Sequence, residues 1–147
     1  MSPQPPFIPI FEGLDKEILD YLWKQVEKME VPAGTVIVRE GEPGNRLFLM
    51  GSGFVRVCKR FDQPDEVELA GLTEGDFFGE MCILETLPRA ATVQAVTEAT
   101  LYSMSSALFF NLQENYPAQY TILVLNIARD LSRRLRALDE RFTALHQ

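Results

Sequence analysis

The segment 75–93, GDFFGEMCILETLPRAATV, sets two opposite charges around a mostly apolar run. Glu80 and Arg89 stand nine positions apart, with Gly79 just before one and Pro88 just before the other. GEMCILE, following the strand-like DFF, predicts one short helical turn entered from a glycine. A helix start carries unpaired N–H groups and partial positive charge, which favour an anion. Arg89 adds a planar fork that pairs bidentately with phosphate oxygens. Pro88 fixes the approach to it, and the small Ala90 and Ala91 leave room beside the backbone. Glu80 is acceptor-only when ionised, so it repels phosphate but accepts from a hydroxyl. A ribose 2′-hydroxyl beside a phosphate meets both demands. The competing reading of the same two residues is a surface ion pair across a loop, which contributes about 0–1 kcal/mol.

Other chemistries find little support. The only histidine is His146, which removes His-cluster metal sites and the commonest general base. Ser52 in GSG (51–53) reads as a turn residue with no histidine to activate it. A phosphodiesterase would need metal ligands that the composition lacks. No enzyme and no metal site are expected. Cys58 and Cys82 are too few for a disulfide scaffold and lack metal-ligand spacing, so a cytoplasmic location is expected. Cys82 reads as a small buried hydrophobe. The net charge of −7 disfavours bulk nucleic-acid binding. No apolar run approaches the ~20 residues of a membrane span, and MSPQPPFIPIF has no basic n-region of a secretory signal.

The elements that must position Glu80 and Arg89 follow from periodicity. The 147 residues suit one domain. Leu14, Ile18, Leu19, Leu22, Trp23, Val26 and Met29 have helical spacing, with Asp15 placed to cap the start. TVIV, RLFLM, GFVRVCKR, VELAGL, ATVQAV and ATLYSM are short β-rich runs between turn-like segments. Seven or eight short strands at fairly even spacing read as a small barrel or jelly roll. Helix returns after Met104. Ser105 or Ser106 is placed to cap it, and Pro117 opens a second, long helix.

That last helix carries Val124, Ala128, Leu131, Leu135, Leu138, Phe142 and Leu145, in steps of 4, 3, 4, 3, 4 and 3. This is the seam of a coiled coil and predicts a parallel homodimer. The alternative is a helix packed along its own domain. Ile122, Leu125 and Ile127 form a second apolar set placed to face the β-rich part. The arginines off the seam are interleaved with acids, as on a solvated face.

FGEMCILETLPRAATV (78–93) resembles the phosphate-binding cassette of cyclic nucleotide-binding domains, most of all the version in regulatory subunits of cAMP-dependent protein kinase. Gly79, Glu80, Pro88, Arg89, Ala90, Ala91, Thr92 and Val93 match position by position. VPAGTVIVREGEPGNRLFLMGSGFVRV (31–57) resembles the family's first hairpins, and LTEGDFFGE the strand leading into the cassette. The similarity spans about residue 10 to the end.

The resemblance implies a mainly β fold with flanking helices. It would be a double-stranded β-helix, a jelly-roll-like β-roll, in a single domain over 1–147. An N-terminal helix region over about 10–30 would precede the roll at 31–104, with the cassette at 78–91 and C-terminal helices at 105–147. It implies a ligand site of Phe78, Gly79, Glu80, Met81, Cys82, Arg89, Ala90 and Ala91. Arg89 would meet the exocyclic phosphate oxygens, Glu80 the ribose 2′-hydroxyl, and backbone N–H groups near Cys82 and Ala90 the rest of the phosphate. In this family Thr or Ser after the arginine goes with cGMP. Ala90 offers no hydroxyl, so cAMP is expected, with cGMP the other candidate. No further cofactor is implied. Kinase-type domains cap the adenine with an aromatic, yet Thr121 to Arg141 holds none. Leu131 or Arg134 would have to serve, and seam or solvent is the preferred assignment of each.

Regulators of the catabolite activator type add a helix-turn-helix. The chain up to Gln147 shows none, so a stand-alone sensor without DNA contact is expected, its effector protein unidentified. The alternative is a degenerate relative serving as a dimerisation scaffold or binding another small anion.

Overall fold

The computed structural model describes residues 6–146. Residues 1–5, which carry part of the Pro-rich start, and Gln147 lie outside the described residues. A 3-10 turn at Pro9–Phe11 leads to α1, Lys16–Gln25. The predicted helical run over 14–29 stops early, because β1 occupies Glu27–Val31. Met29 there lies opposite Leu101 in an antiparallel ladder with β8, Ala99–Ser105. Pairing with a distant strand overrides the local apolar period. Asp15 stands at the N-cap of α1 as expected, but its carboxylate does not cap the helix. Its Oδ2 accepts from Gln119 Nε2 at 3.2 Å, and its N–H donates to Gln119 Oε1 at 2.8 Å. Gln119 belongs to α4, Pro117–Leu145, so the two helices are tied there.

The remaining strands are β2 (Val36–Val38), β3 (Arg46–Ser52), β4 (Val55–Lys59), β5 (Val67–Leu72), β6 (Phe77–Phe78) and β7 (Thr92–Ala95). They form two four-stranded antiparallel sheets, ordered β1-β8-β3-β6 and β2-β7-β4-β5. This is the mainly β roll with flanking helices that the sequence predicts. The short helix α2, Glu80–Leu84, is inserted between β6 and β7, and α3, Ser106–Asn115, follows β8.

Period-2 alternation explains the layering. In β3, Leu47 and Leu49 join a cluster with Ile10, Leu22, Leu112, Leu123 and Ile127 of the helical layer. Phe48 and Met50 join a second cluster inside the roll with Val55, Val93 and Leu101. Phe77 and Phe78 divide in the same way. Each fully buried side chain of this size contributes about 1.5–3 kcal/mol.

Ser105 caps α3, its Oγ accepting from the Leu108 N–H at 3.2 Å. Pro117 occupies the first turn of α4. The first half of α4 packs through Leu123 and Ile127, with Ile122 and Leu131 against the same cluster. Leu125, expected to face the roll, is exposed, and Leu123 takes that place. Val124 is half-buried and Ala128 exposed. Leu135, Leu138, Phe142 and Leu145 are exposed in the second half. No helix among the described residues is long and apolar enough to cross a membrane.

Candidate functional site

A cavity of about 480 Å³ lies between the β2-β7-β4-β5 sheet, α2 and the second half of α4. Phe78, Gly79, Glu80, Met81, Cys82, Arg89, Ala90 and Ala91 all line it. Gly79 makes the turn from β6 into α2 with φ 90 and ψ 10, a left-handed conformation that suits glycine. Glu80, half-buried, then opens the helix. Cys82 is buried, and its N–H lies 3.3 Å from the Gly79 carbonyl. Met81 is exposed at the rim.

Arg89 is buried, at 8% exposure. Its backbone is pinned on both sides: its N–H donates to Glu42 O and its carbonyl accepts from Gly41 N, each at 2.8 Å. Its Nη1 donates to the Arg46 carbonyl at 3.0 Å. The Cζ atom sits 5.6 Å from the Phe48 ring centroid, and Phe48 stacks on Phe78 at 5.0 Å. Gly44 and Gly79 let the backbone approach the guanidinium. A Cβ at Gly44 would overlap it, and one at Gly79 would lie 2.6 Å from Nη1. Among the described residues Arg89 has no carboxylate partner, and Glu80 does not pair with it. The ion-pair reading therefore fails. A guanidinium has five donors, and a buried cation without a counter-charge is costly. The arrangement suits an incoming anion.

The second half of α4 covers the cavity. Arg134 lines it, against the expected placement in seam or solvent. Arg134 Nη2 donates to the Phe77 carbonyl at 2.7 Å, and its Cζ lies 4.2 Å from the Phe77 ring centroid. Its Nε is 2.8 Å from Asp130 Oδ2, an ion-pair distance whose N–H direction misses the oxygen. Arg141 Nη1 donates to the Leu69 carbonyl at 3.3 Å. Leu138 lines the cavity as well, whereas Leu131 packs into the helical cluster.

Residues 28–116 match the family model for the cyclic nucleotide-binding domain. The chain belongs to this family. The domain is 40% identical over 110 residues to a cyclic nucleotide-gated potassium channel of Mesorhizobium japonicum, covering 75% of this chain and 29% of the channel. It is 31% identical over 127 residues to a CRP-like cAMP-activated global transcriptional regulator of Mycobacterium tuberculosis, covering 86% of this chain and 55% of the regulator. The chain thus spans less than two thirds of the length of these curated relatives. Among solved structures, the catabolite activator protein of Thermus thermophilus superposes with a TM-score of 0.78 at 31% identity. That match covers 94% of this chain and 63% of the other.

Sequence reasoning missed the rest of the domain's cavity wall: Val38, Val57, Leu69, Ala70, Gly71, Leu72, Asp76 and Val93 from the roll, with Asp130, Ala137 and Arg141 from α4. The one signal was the small pair Ala70–Gly71 inside a β-rich run. A Cβ at Gly71 would overlap the Phe54 ring. Away from the cavity, two carboxylates hold the β4–β5 turn, where Arg60 (φ 54) and Asp62 (φ 62) are left-handed. Glu66 is held below its ordinary pKa by hydrogen bonds from Arg56 and from the Asp62 N–H, and Glu40 by the Arg60 N–H. Burial pushes the Cys58 thiol up.

Proposed function

We propose that this domain is a non-catalytic sensor for cAMP, acting in the cytoplasm as a homodimer whose last helices respond to the ligand. The observation that carries the reading is Arg89: a buried guanidinium, unpaired among the described residues, lining a cavity of about 480 Å³. That volume falls within the roughly 300–1,000 Å³ of small-molecule sites. A cyclic phosphate brings one negative charge and two exocyclic oxygens to the fork. Glu80, nearby on α2, accepts from the ribose 2′-hydroxyl. The apolar wall from Val57, Leu69 and Leu72 receives the flat base, and Arg134 with Leu138 closes over it. Ala90 offers no hydroxyl to a guanine, which favours cAMP over cGMP. The name of the Mycobacterium tuberculosis regulator, cAMP-activated, supports the same ligand.

Coupling requires that the ligand bind one arrangement of α4 more tightly than another. The Arg134 and Arg141 contacts to strand carbonyls supply elements that two arrangements can trade.

The test is isothermal titration of nucleotide-stripped protein with cAMP and with cGMP, alongside Arg89→Ala. The reading predicts near one cAMP per chain, weaker cGMP, and a loss of about 100-fold or more in the variant, since charge-assisted bonds contribute about 1.5–3 kcal/mol each. Comparable or tighter cGMP binding would overturn the choice of cAMP. No heat with either nucleotide, together with no thermal shift, would overturn the sensor.

A further inference from the structure

We infer that Arg134 serves two chains at once: it covers the cavity of its own chain and pairs with Asp139 of a second copy. This rests on the proposed reading of α4 as a parallel dimer seam. The seam steps place Val124, Leu131, Leu138 and Leu145 at heptad position d, and Ala128, Leu135 and Phe142 at a. Positions g are then Ile127, Arg134 and Arg141, and positions e are Leu125, Ser132, Asp139 and His146. In a parallel pair each g residue faces the e residue five positions on in the other helix. Arg134 therefore meets Asp139. An antiparallel pair would set g against g, arginine against arginine, which is repulsive.

The single chain leaves both halves of this pairing available. Asp139 is exposed and makes no ion pair among the described residues. Arg134 uses Nη2 on Phe77 O and holds Nε 2.8 Å from Asp130 Oδ2, which leaves Nη1. The seam beside them is uncovered, with Leu135 61% and Phe142 63% exposed. A second copy is the occupant that matches both the apolar stripe and the opposite charges of Arg134 and Asp139. The pairing makes the cavity's cover answer to the geometry of the dimer.

Two single variants of the full chain test this: Arg134→Glu and Asp139→Arg. Each alone sets like charges together twice per dimer and weakens self-association on the order of tenfold. Mixed, they restore both pairs, so native mass spectrometry should find heterodimer well above the statistical half. The double variant R134E/D139R should dimerise within about threefold of wild type. Sedimentation gives these constants, and circular dichroism checks that each variant is folded. A wild-type dimer with a statistical mixture would overturn the pair and leave the seam standing. Heterodimer excess with neither single variant weaker than wild type would overturn the parallel arrangement, because g against g and e against e repel equally in wild type and in each variant. A wild-type chain that stays monomeric across the concentration range would overturn the seam and the pair together.

Discussion

Gly44 lies so close to Arg89 that a single methyl group on it would overlap the guanidinium. Gly79 crowds the same group from the other side. The two glycines differ in one respect that separates position from stability. Gly79 has a left-handed φ of 90, and a Cβ there would also meet the Arg46 carbonyl at 2.8 Å. Gly44 carries no such backbone demand. Gly44→Ala should lower cyclic-nucleotide affinity about tenfold or more while shifting Tm little. Gly79→Ala should lower both, with a stability loss on the order of 1–3 kcal/mol. Calorimetric titration and thermal melts of the two variants, run together, check the contrast. Equal Tm losses would mean that Gly44 is structural.

Arg134→Ala should lower the stability of the nucleotide-free domain by about 1–3 kcal/mol, chiefly through the charge-assisted hydrogen bond to the Phe77 carbonyl. The ion pair to Asp130 is partly exposed, and such pairs contribute about 0–1 kcal/mol. The cation–π contact with Phe77 adds about 0.5–1 kcal/mol at such a site. Residence time should change as well. Removing the cover should raise the dissociation rate of a fluorescent cAMP analogue on the order of tenfold and leave the association rate within about threefold. Stopped-flow displacement reads both. An unchanged dissociation rate would remove Arg134 from the cover.

The pH dependence has two arms. Glu66 and Glu40 have folded pKa values held below 4.5, mainly by hydrogen bonds to Arg56 and to the Arg60 N–H. Their folded carboxylates keep charge that the unfolded chain gives up, so their contribution is present above about 4.5 and is lost as pH falls through the depressed values. Glu66→Gln should therefore flatten the acid side of a plot of urea midpoint against pH. The Cys58 thiol is pushed above 9.0 by burial. Its contribution is present below 9.0 and is lost as pH rises through the raised value, because the unfolded thiol ionises first. Cys58→Ala should flatten the alkaline side. Unchanged slopes in these variants would assign the pH dependence to other groups.

The cassette was legible because its signal is local. Gly79 makes one turn, Pro88 fixes one approach, and Glu80 and Arg89 sit on either side of them. The strand pattern was legible for the same reason, through short alternating runs between turns. Three features were not. Val26 and Met29 continue the helical period of α1, and only a ladder to Leu101 and its neighbours makes Glu27–Val31 a strand. Leu125 and Leu123 are both apolar neighbours on α4, and the way the helix lies on the roll decides which is buried. Arg134 reads as one arginine among several on a charged helix. Its place over Phe77 depends on how α4 crosses the cavity, which no spacing within the helix contains.

Strand β3 has a consequence for how the molecule comes apart. Leu47 and Leu49 on one side are core to the helices, while Phe48 and Met50 on the other are core to the roll that backs Arg89. The partition is one backbone thick. Lifting the helical layer would wet the back of the same strand whose front holds the aromatic pair under the guanidinium. Neither chamber can melt and leave the other dry. The two clusters therefore share one fate, and the domain should lose its helices and its roll in a single cooperative transition.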